Sequence, residues 1–252
     1  MAHQHMTEML DLDAEVLHDF HREVISWAGE LVPATGTARI VDLGAGTGTG
    51  TLALARQLPA AEIVAVDVDE EMLEHLRRRA GGAGNIRTMQ ADLDGEWPAL
   101  GPADLVWASA SMHHLTDPGR ALRQIHDLLR PGGAVLITEL ESFPRFLHNA
   151  AEDRGHAEMD RMRHEAGMHM HEDWGALLRK AGFETRERRF DIELRPPLPA
   201  SAARYAEVTL HRMRDRLADR LSPADLAALA APAADDLTIR TTRLVWSGVK
   251  PS

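Results

Sequence analysis

Cysteine is absent from this chain of 252 residues, which excludes disulfides, cysteine-ligated zinc and thiolate catalysis. No apolar run approaches the roughly 20 residues that a membrane-spanning helix needs. The first ten residues also lack the basic and then apolar order of a signal peptide. We therefore expect a cytoplasmic protein that does not enter a membrane.

Aromatic side chains are also scarce, at 4% of the residues, and the formal net charge is −11. A negative chain repels the phosphates of nucleic acids, and few aromatics leave little to stack on bases. The composition therefore favours a small-molecule partner over a nucleic acid. A chain of this length, 44% hydrophobic, is expected to fold as one large domain or two small ones.

Short apolar, β-branched runs alternate with helical patterns along the first 140 residues. Strands are predicted at 38–43, 62–67, 85–90, 103–108 and 134–139, and helices at 49–58, 69–79 and 117–130. Asp69 is a predicted N-cap, and Pro131-Gly132-Gly133 is predicted to end the third of these helices. This alternation is typical of βαβ units and of a mainly parallel sheet with helices on both faces.

The pattern is looser on either side of this region. One helix is predicted over Asp13–Leu31, and residues 141–171 are predicted to be an irregular or helical insertion. Further elements are predicted as helices at 172–181 and 200–221, a short helix opened by Ser222-Pro223, and strands at 183–194 and 237–249. We expect an N-terminal helical cap at 1–34 and a ligand-binding domain at 35–252. Substrate-lid insertions are expected at about 141–171 and 196–235.

A glycine-rich turn, V-D-L-G-A-G-T-G-T-G at Val41–Gly50, follows the first strand. Such a turn is expected to point main-chain N–H groups at a ligand above the sheet edge. It does not match the dinucleotide fingerprint, because the sixth position is Thr49, and no lysine follows as in a P-loop. Asp42 would repel a pyrophosphate and attract a cationic amino-acid headgroup.

The segment D-L-G-A-G-T-G resembles the first motif of class I S-adenosylmethionine (SAM)-dependent methyltransferases. Four further segments resemble the companion motifs of that family and follow in the same order: Val64–Leu73, Gln90–Leu93, Ala103–Pro118 and Leu128–Glu139. The resemblance covers about residues 35–140. It implies a Rossmann-like α/β fold with a seven-stranded, mainly parallel sheet, an antiparallel last strand and insertions after strands five and six. It also implies SAM as cofactor and S-adenosylhomocysteine (SAH) as product.

The resemblance also implies which residues hold the cofactor. Asp67 is expected to bind both ribose hydroxyls and Asp92 the exocyclic amine of adenine. The remaining expected contacts are Asp42, Gly44, Ala45, Gly46, Gly48, Val68, Met72, Leu93, Ala108 and Ser109. Four of the expected contacts have structural alternatives: Asp42 as a capping carboxylate, Asp67 as a solvated residue at a strand end, Asp92 as a turn residue and Met72 as a core residue.

Candidate catalytic residues follow the fourth and fifth strands. The resemblance implies His113 as a general base, with His114 and Glu139 nearby, as in family members that methylate hydroxyls of natural products. Histidine suits that task because its pKa lies near the working pH. A free amine acceptor needs only to be neutral, and then no base is required.

We therefore expect a SAM-dependent methyltransferase acting on a hydroxyl or amine of a small-molecule metabolite. The alternatives are an NAD-dependent oxidoreductase and a SAM-binding protein that transfers no methyl group. The His- and Met-rich residues 143–174 match no strong zinc pattern, so no metal is expected, and they are interpreted as a lid or as a solvated helix. The helix at 200–221 is either a second wall of the acceptor pocket or the surface of a homodimer.

Overall fold

A computed structural model describes residues 2–33, 36–230 and 236–252. The predicted boundary at 34/35 and the end of the predicted 196–235 lid lie outside the described residues. The helices are α1 (Ala2–Val16), α2 (His18–Leu31), α3 (Thr49–Gln57), α4 (Glu70–Ala80), α5 (Pro118–Leu128), α6 (Ala150–Glu165), α7 (Trp174–Lys180), α8 (Ala202–Arg216) and α9 (Pro223–Ala228). The strands are β1 (Arg39–Leu43), β2 (Glu62–Asp67), β3 (Ile86–Gln90), β4 (Ala103–Ser109), β5 (Leu129–Arg145), β6 (Glu184–Leu194) and β7 (Ile239–Val249).

The strands form a seven-stranded sheet in the order β3-β2-β1-β4-β5-β7-β6. The pairs β1–β2, β2–β3, β1–β4 and β4–β5 are parallel. Strand β7 runs the other way, because the start of β5 bonds to Lys250 whereas Ser142, near its end, bonds to Thr241 and Thr242. The predicted mainly parallel sheet with an antiparallel last strand is confirmed. β1 and β4 are central neighbours, so their carboxyl ends meet where the strand order reverses.

Side-chain caps fix where the helices around the sheet begin. Asp69 accepts hydrogen bonds from the main-chain N–H groups of Glu71 and Met72, which confirms it as the N-cap of α4. Asp117 caps α5 in the same way, with Pro118 in the first turn. Both helices therefore start just beyond the carboxyl end of a strand or its following turn.

Three predicted elements differ from the structure. The helix predicted at Asp13–Leu31 is two helices, which break at Leu17. Helix α5 ends at Leu128, and Pro131-Gly132-Gly133 lies inside β5 rather than ending the helix. Pairing with the residue that follows β7 explains why these residues are part of a strand. Gly132 N donates to Lys250 O, and Lys250 N donates to Gly133 O. β5 also continues to Arg145, so the insertion after it begins later than the predicted residue 141.

The chain divides into two compact units. Unit 2 comprises residues 19–139, 171–189 and 244–252, and unit 1 comprises residues 1–18, 140–170 and 190–243. Unit 2 contains a large apolar cluster on one face of the strands, with Val41, Leu43, Val106, Val135 and Ile137 all fully buried. No helix in the described part of the chain is long and apolar enough to cross a membrane.

Unit 1 is held together by buried polar contacts as well as apolar ones. The carboxylate of Glu152 is fully buried and accepts N–H groups of Phe146, Leu147 and His148 at 2.7, 3.1 and 2.8 Å. These bonds fix the chain at the start of α6, where His148 has a φ of +51°.

A second polar cluster joins α1, α8 and β7 within unit 1. Asp13 accepts a hydrogen bond from Arg243 at 2.7 Å and another from the hydroxyl of Tyr205. Tyr205 and Arg243 are both buried. Removal of one partner would leave a buried charge or hydroxyl unpaired, so this cluster ties α1 to the unit.

Candidate functional site

The glycine turn after β1 needs glycine for both backbone and packing reasons. Gly44 and Gly48 have φ angles of +71° and +81°, which side chains disfavour. A Cβ at Gly44 would lie 2.4 Å from Cβ of Ser111, and one at Gly48 would lie 2.2 Å from Cδ1 of Leu76. The end of β1 is therefore in direct contact with the segment that follows β4.

The main-chain amides of this turn are used within the protein. Gly44 N and Ala45 N both donate to Val66 O, at 2.8 and 3.0 Å, and Gly48 N donates to Ala45 O at 2.9 Å. Gly46 N donates to Oδ2 of Asp67 at 2.7 Å. The expectation that these N–H groups point at a ligand is wrong for these four residues. These four donors are already bonded, so they are not available to a pyrophosphate.

Asp42 is a buried carboxyl beneath this turn, with 2% of its surface exposed. The hydroxyl of Thr51, in the first turn of α3, donates to Oδ2 of Asp42 at 2.5 Å. Burial raises the pKa of Asp42 to about 7; the Thr51 hydrogen bond opposes this rise, and the charge of Asp67 adds to it. A cation bound above the turn would favour the ionised form of Asp42.

Asp67 connects the glycine turn to the start of α4. Its Oδ2 accepts Gly46 N, and its Oδ1 accepts Asp69 N at 2.9 Å. Each carboxylate oxygen can accept a second hydrogen bond, which leaves capacity for ligand hydroxyls. The next residue, Val68, is 61% exposed and is the one large hydrophobic side chain so exposed within the described ranges. Asp67 thus offers hydrogen-bond acceptors, and Val68 next to it offers an apolar surface.

The other predicted cofactor contacts occupy varied surroundings. Asp92 is exposed, and its Oδ1 accepts Asp94 N at 2.9 Å, so one oxygen serves the turn itself. Met72, Leu93 and Ala108 are buried, and only Ser109, at the end of β4, is partly exposed. The geometry therefore leaves Met72 and Asp92 with clear structural roles beside the predicted ones.

The segment after β4 is strained and tied to its neighbours. Ala110 has a φ of +52°, and its N–H donates to Thr138 O at 2.7 Å. Ser111 donates its hydroxyl to Leu43 O at 2.8 Å, which joins this segment to the end of β1. A non-glycine residue with positive φ is costly and persists where the surroundings hold it, often at functional sites.

His113 and Glu139 form a buried pair at this point. Nδ1 of His113 lies 2.5 Å from Oε2 of Glu139, and the main-chain N–H of His113 donates to Oε1 at 3.3 Å. The two residues are 5% and 3% exposed. A carboxylate on Nδ1 holds the ring in the tautomer with Nδ1 protonated, which leaves Nε2 as a proton acceptor. The structure thus brings together two of the predicted catalytic residues and makes Glu139 a positioning residue.

His114 lies against the ring of His113 and is itself exposed. The ring centroids are 4.2 Å apart, with an interplanar angle of 39°. Partial desolvation lowers the pKa of His114 to about 4, and the nearby His113 lowers it further in the same direction. His114 is therefore neutral at pH 7, so it is better suited to contacting a ligand than to carrying a proton.

Three side chains of this region were not predicted from the sequence. Thr51 is the partner of Asp42, Ser111 contacts the glycine turn, and Arg79 donates to Thr47 O at 3.0 Å. The sequence does contain a signal for Thr51, because it is a threonine in the first turn of the helix that follows the glycines. No sequence signal relates Arg79 to a turn 32 residues earlier, because that contact depends on the packing of α4.

Comparisons with known proteins match the part of the chain that contains most of this site. Residues 40–133 match the family model described as a methyltransferase domain, which spans β1 to the start of β5. The glycine turn, Asp42, Asp67, Asp92 and His113 lie within the matched region, and Glu139 lies just beyond it.

Two similar sequences are methyltransferases by name. One, a trans-aconitate 2-methyltransferase of Azoarcus sp. (strain BH72), is 39% identical over 106 residues, covering 42% of this chain and 40% of the relative. The other, a malonyl-[acyl-carrier protein] O-methyltransferase of Paenibacillus sp. (strain JDR-2), is 30% identical over 155 residues, covering 58% and 55%. The chain spans about half the length of these relatives.

The fold is also shared more widely. A putative methyltransferase from Bacillus halodurans C-125 superimposes with a TM-score of 0.61 at 17% identity, covering 90% of this chain and 99% of that one. This likeness shows the fold. The match at residues 40–133 shows that this segment is similar to the methyltransferase domain family.

Proposed function

We propose that this protein binds SAM at the glycine turn and transfers its methyl group to a hydroxyl of a small-molecule metabolite. The observation that carries the proposal is the buried pair of His113, which follows β4, and Glu139, which lies within β5. A base held in one tautomer has a use when the acceptor carries a proton at pH 7, as a hydroxyl does. A free amine acceptor would not need it.

The residues of the turn fit SAM. SAM carries positive charge on its sulfonium and its amino group, and the turn lies over a buried carboxyl, Asp42, with its own amides already bonded. Asp67 has the remaining acceptor capacity for ribose hydroxyls, and the exposed Val68 offers an apolar surface for a base. A cationic nucleoside therefore matches the turn better than the pyrophosphate of NAD, which supports methyl transfer over the oxidoreductase alternative.

The chain's own groups have separate tasks in this proposal. Glu139 holds His113, and Nε2 of His113 takes the proton of the acceptor hydroxyl. When bound, SAM supplies a methyl carbon that the acceptor oxygen attacks, and the carbon–sulfur bond breaks to release a neutral thioether. Throughout the transfer, Asp42 provides negative charge near the cationic SAM, and Asp67 accepts hydrogen bonds from the ribose hydroxyls. The main contribution of the fold is alignment of the reacting atoms.

Cofactor binding is tested by titrating SAH into the protein in a calorimeter. We expect Asp67→Ala to weaken binding by about 10- to 100-fold, because charged hydrogen bonds contribute about 1.5–3 kcal/mol each. Glu62→Gln, at the opposite end of the same strand and exposed, is the matched control and should change affinity less than twofold. Equal affinity of the Asp67→Ala variant and the unmodified protein contradicts the assignment.

Transfer itself is tested by incubating the protein with methyl-labelled SAM and a metabolite extract. Label in a small-molecule product supports a methyltransferase. SAH binding without any labelled product supports instead the alternative of a SAM-binding protein that transfers no methyl group. A thermal shift with NAD and none with SAH would favour the oxidoreductase.

A further inference from the structure

The loop that follows β3 is tied to the start of α5. Both oxygens of the Asp94 carboxylate accept hydrogen bonds from Thr116, Oδ1 from its main-chain N–H at 2.8 Å and Oδ2 from its hydroxyl at 3.0 Å. Through one nitrogen, the guanidinium of Arg120 donates to the main-chain carbonyl oxygens of Asp94 and of Gly95, the latter at 2.9 Å. Two side chains therefore fasten a loop that lies 22 to 26 residues earlier in the chain.

The fastened loop is a closed turn that begins at Asp92. Oδ1 of Asp92 accepts Asp94 N at 2.9 Å, and its main-chain carbonyl accepts Gly95 N at 3.1 Å. Asp92 is exposed, and within the described part of the chain its Oδ2 accepts no hydrogen bond. Because the turn is closed through Asp92, the bonds that hold Asp94 and Gly95 also fix where this unbonded oxygen lies.

Asp92 lies beside the end of β2, where the nucleoside is proposed to bind. Gln90, the last residue of β3, pairs with Asp67, and Ala91 N donates to Asp67 O at 3.0 Å. The side-chain amide of Gln90 donates to Val68 O at 3.0 Å, which ties the exposed Val68 to the same strand. An adenine on Val68, with its ribose at Asp67, thus has Asp92 as a neighbour on the next strand.

The chemistry of adenine decides which of its groups Asp92 can bind. An ionised carboxylate only accepts hydrogen bonds, and the exocyclic amine is the donor that adenine carries. A hydrogen bond weakens steeply as its distance and angle worsen. The position of the Asp92 turn therefore decides whether the amine is recognised.

The stretch that holds this turn also carries the proposed base. Ser111 donates its hydroxyl to the main chain at the end of β1 at 2.8 Å, and His113 contacts β5. Thr116 and Arg120 follow His113 by three and seven residues. One stretch of ten residues thus contacts β1, β5 and the loop after β3, so the base and the acceptor for the amine share one frame.

We propose that Arg120 and Thr116 are positioning residues for the cofactor, because they hold Asp92 where it accepts a hydrogen bond from the exocyclic amine of SAM. In this role they act through the Asp92 turn and need no contact with the cofactor. The inference rests on the proposed function, since it takes the nucleoside to lie on Asp67 and Val68. A change at Arg120 is then expected to reduce selectivity for the amine rather than the binding of every nucleoside.

The test is calorimetry of the full chain with SAH and with its analogue in which unsubstituted purine replaces adenine, so that only the exocyclic amine is missing. The unmodified protein should bind SAH about tenfold or more tighter than the analogue. Arg120→Gln should leave the affinity for the analogue within about twofold and weaken SAH until the two affinities differ by about threefold or less.

Arg123→Gln is the matched control. It removes the same charge about one turn later in α5, where Arg123 is exposed. Both affinities should stay within about twofold of those of the unmodified protein. If Arg120→Gln does not fold, Thr116→Val gives the same comparison, because it removes one hydrogen bond to Asp94 and leaves the cap of α5 intact.

A double change separates positioning from general destabilisation. Asp92→Ala removes the acceptor for the amine, so Arg120→Gln added to it should not change the ratio of the two affinities any further. The inference is overturned if Arg120→Gln weakens SAH and the analogue equally, or if it lowers the ratio in the Asp92→Ala background as well. It is also overturned if the unmodified protein binds both ligands equally.

The same titrations distinguish this inference from the proposed function. If SAH does not bind the unmodified protein, the proposed function is wrong and the inference is wrong with it. If SAH binds and Arg120→Gln leaves the ratio of affinities unchanged, only the inference is wrong.

Discussion

Two carboxyl groups in unit 2 are almost equally buried but have different partners. Asp42 at the end of β1 is 2% exposed, and Glu139 in β5 is 3% exposed. Asp42 accepts a hydrogen bond from a hydroxyl, that of Thr51, whereas Glu139 contacts the imidazole of His113. The same chemical group thus has a neutral partner in one place and a titratable partner in the other.

The partner decides what each carboxyl can do. Among the described residues no cation acts on Asp42, and its pKa is raised to about 7, so a cationic ligand could supply the missing positive charge. Glu139 contacts the imidazole ring of His113 with one oxygen and accepts the main-chain N–H of His113 with the other. Asp42 is therefore suited to holding a ligand, and Glu139 to positioning a base.

The largest expected effect comes from the imidazole. We expect His113→Ala to slow methyl transfer to a hydroxyl by about 10²- to 10⁴-fold, the usual contribution of a general base. SAH affinity should stay within twofold, because the cofactor contacts are elsewhere. Single-turnover rates and calorimetry measure the two quantities.

Glu139→Gln sharpens the same comparison. Glutamine has one acceptor and one donor in place of two acceptors, so it cannot accept from both Nδ1 and the main-chain N–H of His113. We expect slower transfer, by less than for His113→Ala, and a shifted pH profile of the transfer step. An unchanged rate in His113→Ala would show that the acceptor needs no base, and the role given to Glu139 would then be wrong.

An intermediate effect is expected on stability when Asp42 is changed. Because its pKa is raised above the usual 3.8 to about 7, folding favours the protonated form. Its contribution to stability is complete below pH 4 and is lost as pH rises through about 7. We expect Asp42→Asn to be more stable than the unmodified protein at pH 8, by on the order of 2–4 kcal/mol, and similar to it at pH 4. Urea unfolding at the two pH values measures this.

The same variant should bind SAM more weakly, since the buried negative charge is gone. Stability and binding are then expected to change in opposite directions at pH 8. A variant that is less stable than the unmodified protein at pH 8 would show that Asp42 stabilises the fold as an ionised group, against its raised pKa.

The smallest expected effect concerns two buried threonines. Thr51→Val removes the hydroxyl that Asp42 accepts from, and we expect a cost of about 1–3 kcal/mol at pH 8, when Asp42 is ionised. Thr138→Val is the control, because the hydroxyl of Thr138 is buried without a partner among the described residues. The loss of this hydroxyl should leave the free energy of unfolding unchanged or raise it slightly. Equal effects of the two changes in urea unfolding would remove the special role of Thr51.

Unit 2 was predicted well from the sequence, whereas in unit 1 helices α8 and α9 were predicted but other features were not. Strand β2 and the cap Asp69 of α4 have the predicted positions, because apolar alternation and helix caps are local signals. In unit 1 the break at Leu17 and the extension of β5 to Arg145 were missed. Hydrogen bonds to residues about 100 positions away hold Ser142 in β5, and no local pattern contains them.

The candidate site shows the same division. The glycine turn, Asp67 and the pair of histidines were found from motif and resemblance, whereas the bonded state of the turn amides was not. The amides of Gly44, Ala45 and Gly46 donate to Val66 O and Asp67, which belong to the neighbouring strand. The ligands that a turn can accept depend on such neighbours, and here the neighbours occupy donors that the sequence suggested for a ligand.

By itself the sequence determined the βαβ order, the glycine turn and the resemblance to the methyltransferase family, because backbone conformation and apolar periodicity are encoded over a few residues. Only the tertiary structure decided that Glu139 orients His113, that Thr51 is the partner of Asp42, and that Tyr205 and Arg243 meet at Asp13. These pairings join residues that are distant in the chain, so their distances and their shared burial exist only once the strands and helices have packed.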